Sequence, residues 1–286
     1  MKVIPFRVPK TTQEAFRLQV DTLPYFYDRL HQHPETQIML IEAGEGTLIA
    51  GNYVGRFGQG DLFVISSGQP HVFRSDKDYF RPRSKKKTKS ISLYFDEKYA
   101  GESFWQLTEL LEIRQFLNRL GTGIRIEGPT KNRVTQLIHQ LSQVKKVNKL
   151  ILFLTLLQEI AHSKTLIPLS VVPLRSNLNA SDKRMNDVLQ FTFKQSHRKI
   201  KIQEVAAIAN LSAEAFCRYF KLHTRKTYTN FLNEVRISHA CKLLADGALS
   251  IQSVCYDAGF QNLSHFNRQF KRVTGKTPKS YQLGQS

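Results

Sequence analysis

The sequence predicts an α+β chain. A small N-terminal β-barrel with a helical extension comes first, and an all-α domain of two helix-turn-helix units follows. Three observations predict this. Short apolar or alternating runs recur through the first hundred residues, the first of them separated by glycine turns. An apolar period of about 3.6 residues then runs through 102–165. The last hundred residues contain an internal repeat. At roughly 100–200 residues per domain, 286 residues suit two domains. The predicted organisation is a domain over 1–165 (barrel about 1–100, helices about 102–165), a linker over 166–181 and a second domain over 182–286. The two helix-turn-helix units fall at about 201–221 and 250–272.

In the first region, strands are expected at 38–41, 46–51, 61–66 and 91–95, a spacing that suits a sandwich or small barrel. Phe104, Leu107, Leu111 and Leu117 suit one helix. Val134, Leu137, Ile138, Leu141 and Val144 suit a second, which Pro129 can open because its missing N–H costs nothing there. The stretch 123–128 between them is a strand candidate. Leu150, Ile151, Leu154, Leu157, Ile160 and Ala161 form the stripe of a third helix that is apolar nearly all round. Such a helix is buried in its own domain or packs on a partner chain, and a homodimer joined through 102–165 is expected. Two prolines and no helical pattern mark 166–181 as linker. The basic run at 81–89 reads as a solvated loop, with a supplementary phosphate contact as the second reading.

The formal net charge of +19 calls for a polyanionic partner or a highly charged surface. It is uneven: 17 Lys+Arg stand against 7 Asp+Glu in 177–286, which leaves 25 against 16 in the first 176 residues. The last third is therefore about twice as basic per residue. Cys217, Cys241 and Cys255 are widely spaced and form no CxxC, so neither a disulfide framework nor a zinc finger is indicated. The reduced cytosol fits best. The first residues lack an apolar signal-peptide core, and the longest apolar run, 150–157, is far short of the ~20 residues that span a bilayer. A cytoplasmic protein with no membrane partner is expected.

The repeat carries the functional argument. Ile202, Val205 and Ala209 match Ile251, Val254 and Ala258 at an offset of 49. Phe216, Arg218, Phe220, Lys221, Thr224, Lys226 and Thr227 then match Phe266, Arg268, Phe270, Lys271, Thr274, Lys276 and Thr277 at an offset of 50. A turn between the two blocks absorbs the slip. Each copy reads as a short helix, a tight turn at Asn210-Leu211 or Gly259-Phe260, an N-cap at Ser212 or Asn262, and a second helix. That second helix buries a Phe pair at i, i+4. Its opposite face presents Ala213, Glu214, Cys217, Arg218 and Lys221 in the first copy, and Ser264, His265, Asn267, Arg268 and Lys271 in the second. A helix of this kind fits a major groove, where Arg can pair with guanine O6/N7 and Asn with adenine N6/N7. The long helix at 228–245 is the expected spine. If it holds the two recognition helices about 34 Å apart, one chain spans two successive major grooves.

Residues 182–283 resemble the DNA-binding domain of AraC/XylS-type transcription regulators. The stretch DAGFQNLSHFNRQFKRVTGKTPKSY at 257–281 carries the resemblance: a GF turn, an aromatic-Arg-Phe-Lys helix and a G-x-x-P end. The first copy departs where Arg225 and Tyr228 stand in place of Gly275 and Pro278. The resemblance implies double-stranded promoter DNA as partner and places the base-reading positions on Glu214, Cys217, Arg218, His265, Asn267 and Arg268.

His31 and His33 in HQHPETQ, with His71 in GDLFVISSGQPH, resemble the two cupin motifs, and residues 31–74 also resemble the sensor domains of the same regulators. Ser66 replaces the motif proline and Gln37 the motif glutamate. The cupin-like barrel is expected to bind a small-molecule effector through His31, His33, Gln37 and His71, or to support dimerisation. No cofactor, metal or catalytic residue is assigned, and the chain is not expected to be an enzyme. His31, His33 and His71 are the residues that would hold a metal if one were present, with Glu35 an off-pattern fourth ligand. The competing readings are a metal-binding cupin enzyme fused to a DNA-binding domain and a basic DNA-binding protein without sequence preference.

Overall fold

The computed structural model describes residues 15–96, 100–169, 183–224 and 226–283. Residue contacts divide the chain into two compact units. One takes most of the chain before residue 177, and the other takes the remainder together with residues 47–56.

The strands are β1 (Arg17–Leu23), β2 (Thr36–Ala43), β3 (Gly46–Ala50), β4 (Tyr53–Phe57), β5 (Leu62–Ile65), β6 (His71–Ser75), β7 (Thr88–Phe95), β8 (Ile124–Ile126) and β9 (Leu166–Pro168). They form a six-stranded sheet in the order β1-β7-β2-β5-β8-β9 and a three-stranded sheet in the order β4-β3-β6. The expected strands are present, the 123–128 candidate among them as β8. β1, β4, β6 and β9 are additional to that expectation. The register explains the near-continuous burial of β2. Ile38 and Leu40 pair with Leu93 and Ile91 on one side and with Val64 and Leu62 on the other. Val64 and Leu62 continue the row to Ile124 and Ile126. Because side chains alternate across a strand, this row forms one apolar face. Gln37 and Met39, with Tyr94 and Ser92 opposite, point to the other.

The helical extension covers the apolar face. It consists of α1 (Glu102–Trp105), a 3₁₀ turn (Thr108–Leu110), α2 (Leu111–Arg119), α3 (Gly128–Leu141) and α4 (Lys146–Ala161). Trp105, Ile113, Phe116, Val134, Ile138, Phe153, Leu156, Leu157 and Ile160 pack with the sheet row into one core. Two expected helix phases are corrected here. Phe104 to Leu117 is not one helix, because the chain breaks between α1 and α2 and the period restarts. Leu107 and Leu111 are therefore exposed, while Ile113 and Phe116 are buried. In α4 the buried stripe is Phe153, Leu156, Leu157 and Ile160, and Ile151 faces outward. Leu157 and Ile160 belong to the expected stripe, while Leu150, Leu154 and Ala161 pack on the same core half-buried. The segment expected to be linker opens with β9, whose Leu166 pairs with Ile126 of β8. Residues 170–181 lie outside the described residues.

The second unit holds α5 (Lys183–Gln195), α6 (Ile202–Ile208), α7 (Ala213–Thr224), α8 (Tyr228–Ala245), α9 (Ile251–Asp257), α10 (Leu263–Thr274) and α11 (Pro278–Leu283). α8 is the spine. Of its expected stripe, Phe231, Leu232, Val235, Ala240 and Leu244 are buried and Leu243 is half-buried; Tyr228, Ile237 and Cys241 are buried as well. A helix apolar on this much of its surface sits inside its domain. Tyr228 and Phe231 meet Phe220 of α7 at ring separations of 5.3 Å. Ile237, Cys241 and Leu244 share a core with Val254, Phe266 and Phe270. Among the described residues, no helix is long and apolar enough to cross a membrane.

Candidate nucleic-acid interface and barrel pocket

The two helix-turn-helix units are built by the same turn. After α6, Leu211 N–H donates to Ala206 C=O and Asn210 N–H to Ala207 C=O. After α9, Phe260 N–H donates to Cys255 C=O and Gly259 N–H to Tyr256 C=O. Both sets are the paired bonds of a Schellman motif, whose C′ residue takes a positive φ. Asn210 has φ 53° and Gly259 has φ 94°. The caps are those the sequence specifies: Ser212 Oγ accepts from Ala215 N–H at 3.2 Å, and Asn262 Oδ1 from His265 N–H at 2.9 Å. These bonds satisfy otherwise orphan donors and set the start of α7 and α10.

Phe216, Phe220, Phe266 and Phe270 are each fully buried. The opposite faces are accordingly turned outward. Glu214, Cys217, Arg218 and Lys221 are exposed on α7, as are Ser264, Asn267, Arg268 and Lys271 on α10, while His265 is half-buried. Glu214 sits in the first turn of α7. Its carboxyl lies below the usual range because its own backbone N–H and the Ser212 hydroxyl donate to it, with Arg218 adding a nearby charge. The exposed face of α7 thus carries a fixed negative charge beside its arginine. That arrangement suits a cytosine amino group and repels phosphate.

On α10, Arg268 Nη2 stands 3.1 Å from His265 Nδ1. Arginine can only donate, so Nδ1 is the acceptor and the ring is neutral. The His265 pKa lies below its usual 6.5, first through burial and then through the charges of Arg268, Arg236 and Arg272. A depressed folded-state pKa contributes stability that is complete above pH 6.5 and is lost as pH falls through the lower folded value. Removing the guanidinium in Arg268→Ala should raise the His265 pKa toward 6.5, read by NMR titration of the imidazole Cε1–H. An unmoved pKa would show that the two side chains do not interact in solution.

The sequence reading missed Arg236. Its guanidinium donates from Nε to Ser196 C=O and from Nη2 to Arg198 C=O, both at 2.8 Å, and lies 5.6 Å over the Phe260 ring. One side chain of the spine therefore ties the α5–α6 connection to the second turn. The available signal was an arginine between buried Val235 and Ile237 of α8. Lys226 and Glu234 form a further half-buried pair at 2.5 Å.

In the other unit, the polar face of the six-stranded sheet lines a cavity of about 200 Å³ with Gln19, Asp21, Gln37, Ser90, Ser92 and Tyr94. Leu23, His31, His71, Phe26, Tyr27, Met39 and Phe73 complete its wall. Of the four expected effector residues, His31, Gln37 and His71 line this cavity, while His33 is buried beside them without lining it. His31 and His71 exchange backbone N–H···O bonds of 3.1 and 2.8 Å, which sets the two rings side by side. The ring of His33 lies 5.0 Å from that of His71. Gln37 Nε2 donates to Ser92 Oγ at 3.1 Å and to Tyr94 Oη at 3.0 Å, and Gln37 Oε1 is 3.4 Å from His33 Nε2. Glu35 is buried against the other edge of His33, its Oε2 3.6 Å from Nδ1. Burial drives all three histidine pKa values down, His31 to about 4. Burial also lifts the Tyr94 hydroxyl to about 12. Ser66, at the position of the motif proline, donates to Leu120 C=O and accepts from Gly123 N–H, which fastens the end of β5 to the α2–β8 connection. In the basic loop, Lys86 pairs with Glu45 and Lys89 with Glu42, so part of its charge is neutralised locally.

Comparison with known proteins places two family models on the chain. The AraC-like ligand binding domain matches residues 16–146 and a helix-turn-helix domain matches 205–283. An uncharacterised regulator of Bacillus subtilis, YdeC, is 30% identical over 49% of this chain and 51% of its own. The transcriptional activator RhaR of Escherichia coli is 22% identical over 88% and 86%. The match thus spans about half the length of several curated relatives and most of others. Among solved structures, a probable AraC family regulator from Rhodopseudomonas palustris aligns with 36% of this chain and 96% of its own, at 25% identity and a TM-score of 0.34.

Proposed function

We propose, on the premise that this chain belongs to the AraC family, that it is a sequence-specific transcription regulator whose N-terminal pocket receives a small effector. The single observation that carries the reading is the duplicated turn. Two Schellman-closed units each bury a Phe pair and leave Arg218 with Lys221, or Arg268 with Asn267 and Lys271, exposed on the second helix. Those side chains supply base-edge donors and phosphate contacts on a helix of the right width for a major groove. The DNA-reading set is Glu214, Cys217, Arg218, Lys221, Ser264, His265, Asn267, Arg268 and Lys271. The effector set is His31, Gln37 and His71, which line the polar cavity, with His33 packed beside His71. Binding and not catalysis is the role of both units, and the chain works in the cytoplasm, where promoter DNA is. The unit over 102–165 joins two chains. Val147 and Ile151, 65% and 54% exposed, leave an apolar strip on α4 for that contact; the sedimentation mass decides it.

Selection of bound sequences from random duplex DNA tests the reading. A regulator yields a defined motif, with discrimination of about 10³ or more over random duplex. Uniform recovery would mean a basic protein without preference. On the selected site, Arg268→Ala should cost about 1–3 kcal/mol and relax one base position. Lys271→Ala should weaken all duplexes alike and flatten the salt slope by about one unit. Loss of the same base preference in both variants would contradict the separation of roles.

A further inference from the structure

We propose that the cleft between the two helix-turn-helix units is a small-molecule site of its own, which takes a phosphate monoester carried on a compact apolar body. The inference stands on the lining of the cleft, so it holds whether or not the chain regulates transcription.

Three parts of the helical unit build the cleft. The α5–α6 connection contributes Lys199, the first half of α8 contributes Asn233 and Arg236, and the start of α10 contributes Asn262 and His265. The volume is about 270 Å³, close to the lower end of the roughly 300–1,000 Å³ that small-molecule sites occupy.

Asn233 carries the argument. It is only 4% exposed, and its side-chain amide has no hydrogen-bond partner among the described residues. A buried amide in that state is costly, and this one lines the cleft. Its natural partner is a polar group of a molecule that enters there.

The charge of the lining selects the group. Among the described residues, no carboxylate lines the cleft, and neither Lys199 nor Arg236 pairs with one. Arg236 gives Nε and Nη2 to the carbonyls of Ser196 and Arg198, which leaves Nη1 to donate elsewhere. Asn262 Oδ1 is committed to the His265 N–H, so Nδ2 is the end that remains. His265 Nδ1 accepts from Arg268, so the ring proton sits on Nε2. The lining therefore offers two cations and several N–H donors. Thr229 and Asn262 stand at the starts of α8 and α10, whose dipoles add further positive potential. Such a set fits the dianion of a phosphate monoester better than a carboxylate.

The apolar walls and the depth of Asn233 decide what carries the phosphate. Ile200, Ile202, Leu232 and the Phe260 ring line the same cleft. A backbone phosphate of a duplex is flanked by two sugars. It brings no apolar body and does not reach a side chain set so deep. A terminal phosphate on a small apolar molecule does both.

The test uses the full chain and phenyl phosphate, titrated by calorimetry, with inorganic phosphate and phenylacetate as comparisons. The expected result is one phenyl phosphate per chain, held more tightly than either comparison. Asn233→Asp keeps the shape of the side chain and places a negative charge in the cleft. Lys199→Met removes an exposed cation. Each variant, verified as folded by circular dichroism, should weaken phenyl phosphate at least about tenfold. Absence of a saturable one-to-one site overturns the proposal, and so does affinity indifferent to both variants. Phenylacetate bound as tightly as phenyl phosphate overturns the phosphate group, and inorganic phosphate bound as tightly overturns the apolar body. Duplex affinity lost in both variants, with no binding of phenyl phosphate, assigns the cleft to the DNA backbone and overturns the proposal. DNA selection on the parent chain, run alongside, separates failure of this site from failure of the regulator reading.

Discussion

Phe266→Ala should destabilise the helical unit by about 3–5 kcal/mol, the range for truncating a buried aromatic. Phe266 is fully enclosed, with Phe260 at 5.3 Å and Phe270 at 5.6 Å between ring centroids. Its core partners come from α8, α9 and α10 together. The loss is therefore not confined to one helix: α10 loses the anchor that keeps Arg268 and Lys271 outward. Urea unfolding followed by circular dichroism measures the change, with Asn267→Ala as the exposed neighbour expected within about 0.5 kcal/mol of the parent. A Phe266→Ala protein as stable as Asn267→Ala would mean that the buried and exposed faces of α10 are the reverse of those described.

The second large effect is expected at Gly259. An alanine Cβ there would lie 2.2 Å from Ser196 C=O and 3.0 Å from Arg236 Nε, at a φ of 94°. The backbone conformation alone costs a non-glycine residue about 1–3 kcal/mol. Displacing Ser196 also breaks the charged hydrogen bond from Arg236, for about 1.5–3 kcal/mol more. Gly259→Ala should thus lose at least about 2 kcal/mol in the same urea assay. Asn210 fills the equivalent place in the first unit at a φ of 53°. Asn210→Gly should change little there, because both residues tolerate that region. Equal effects at the two positions would show that the close approach to Ser196 is not the cause.

Much of this was legible in the sequence because it depended on local rules. The Phe pairs, the turns at Asn210 and Gly259 and the caps at Ser212 and Asn262 are each decided by neighbours within a few residues. Repetition then doubled the signal. The meeting of His31, His33 and His71 was legible from motif spacing. Helix phase in 102–165 was not, because α4 is apolar on several faces and only the sheet row of Ile38, Leu40, Leu62 and Ile91 chooses between them. β1 escaped notice because one of its faces, Gln19 and Asp21, points into a polar cavity and reads as solvent-facing. Arg236 was missed since its partners are carbonyls some forty residues away, which no local pattern encodes.

Strand β9 has a practical consequence. It is added to the six-stranded sheet only after the chain has passed through α4, and its three residues cover the open side of β8. Leu169, which follows, donates its N–H to Gly123 and is itself buried. Trimming the N-terminal portion at residue 165 would uncover a row of bare amide and carbonyl groups, a template on which chains stack and precipitate. A cut placed beyond 169 keeps that border sealed.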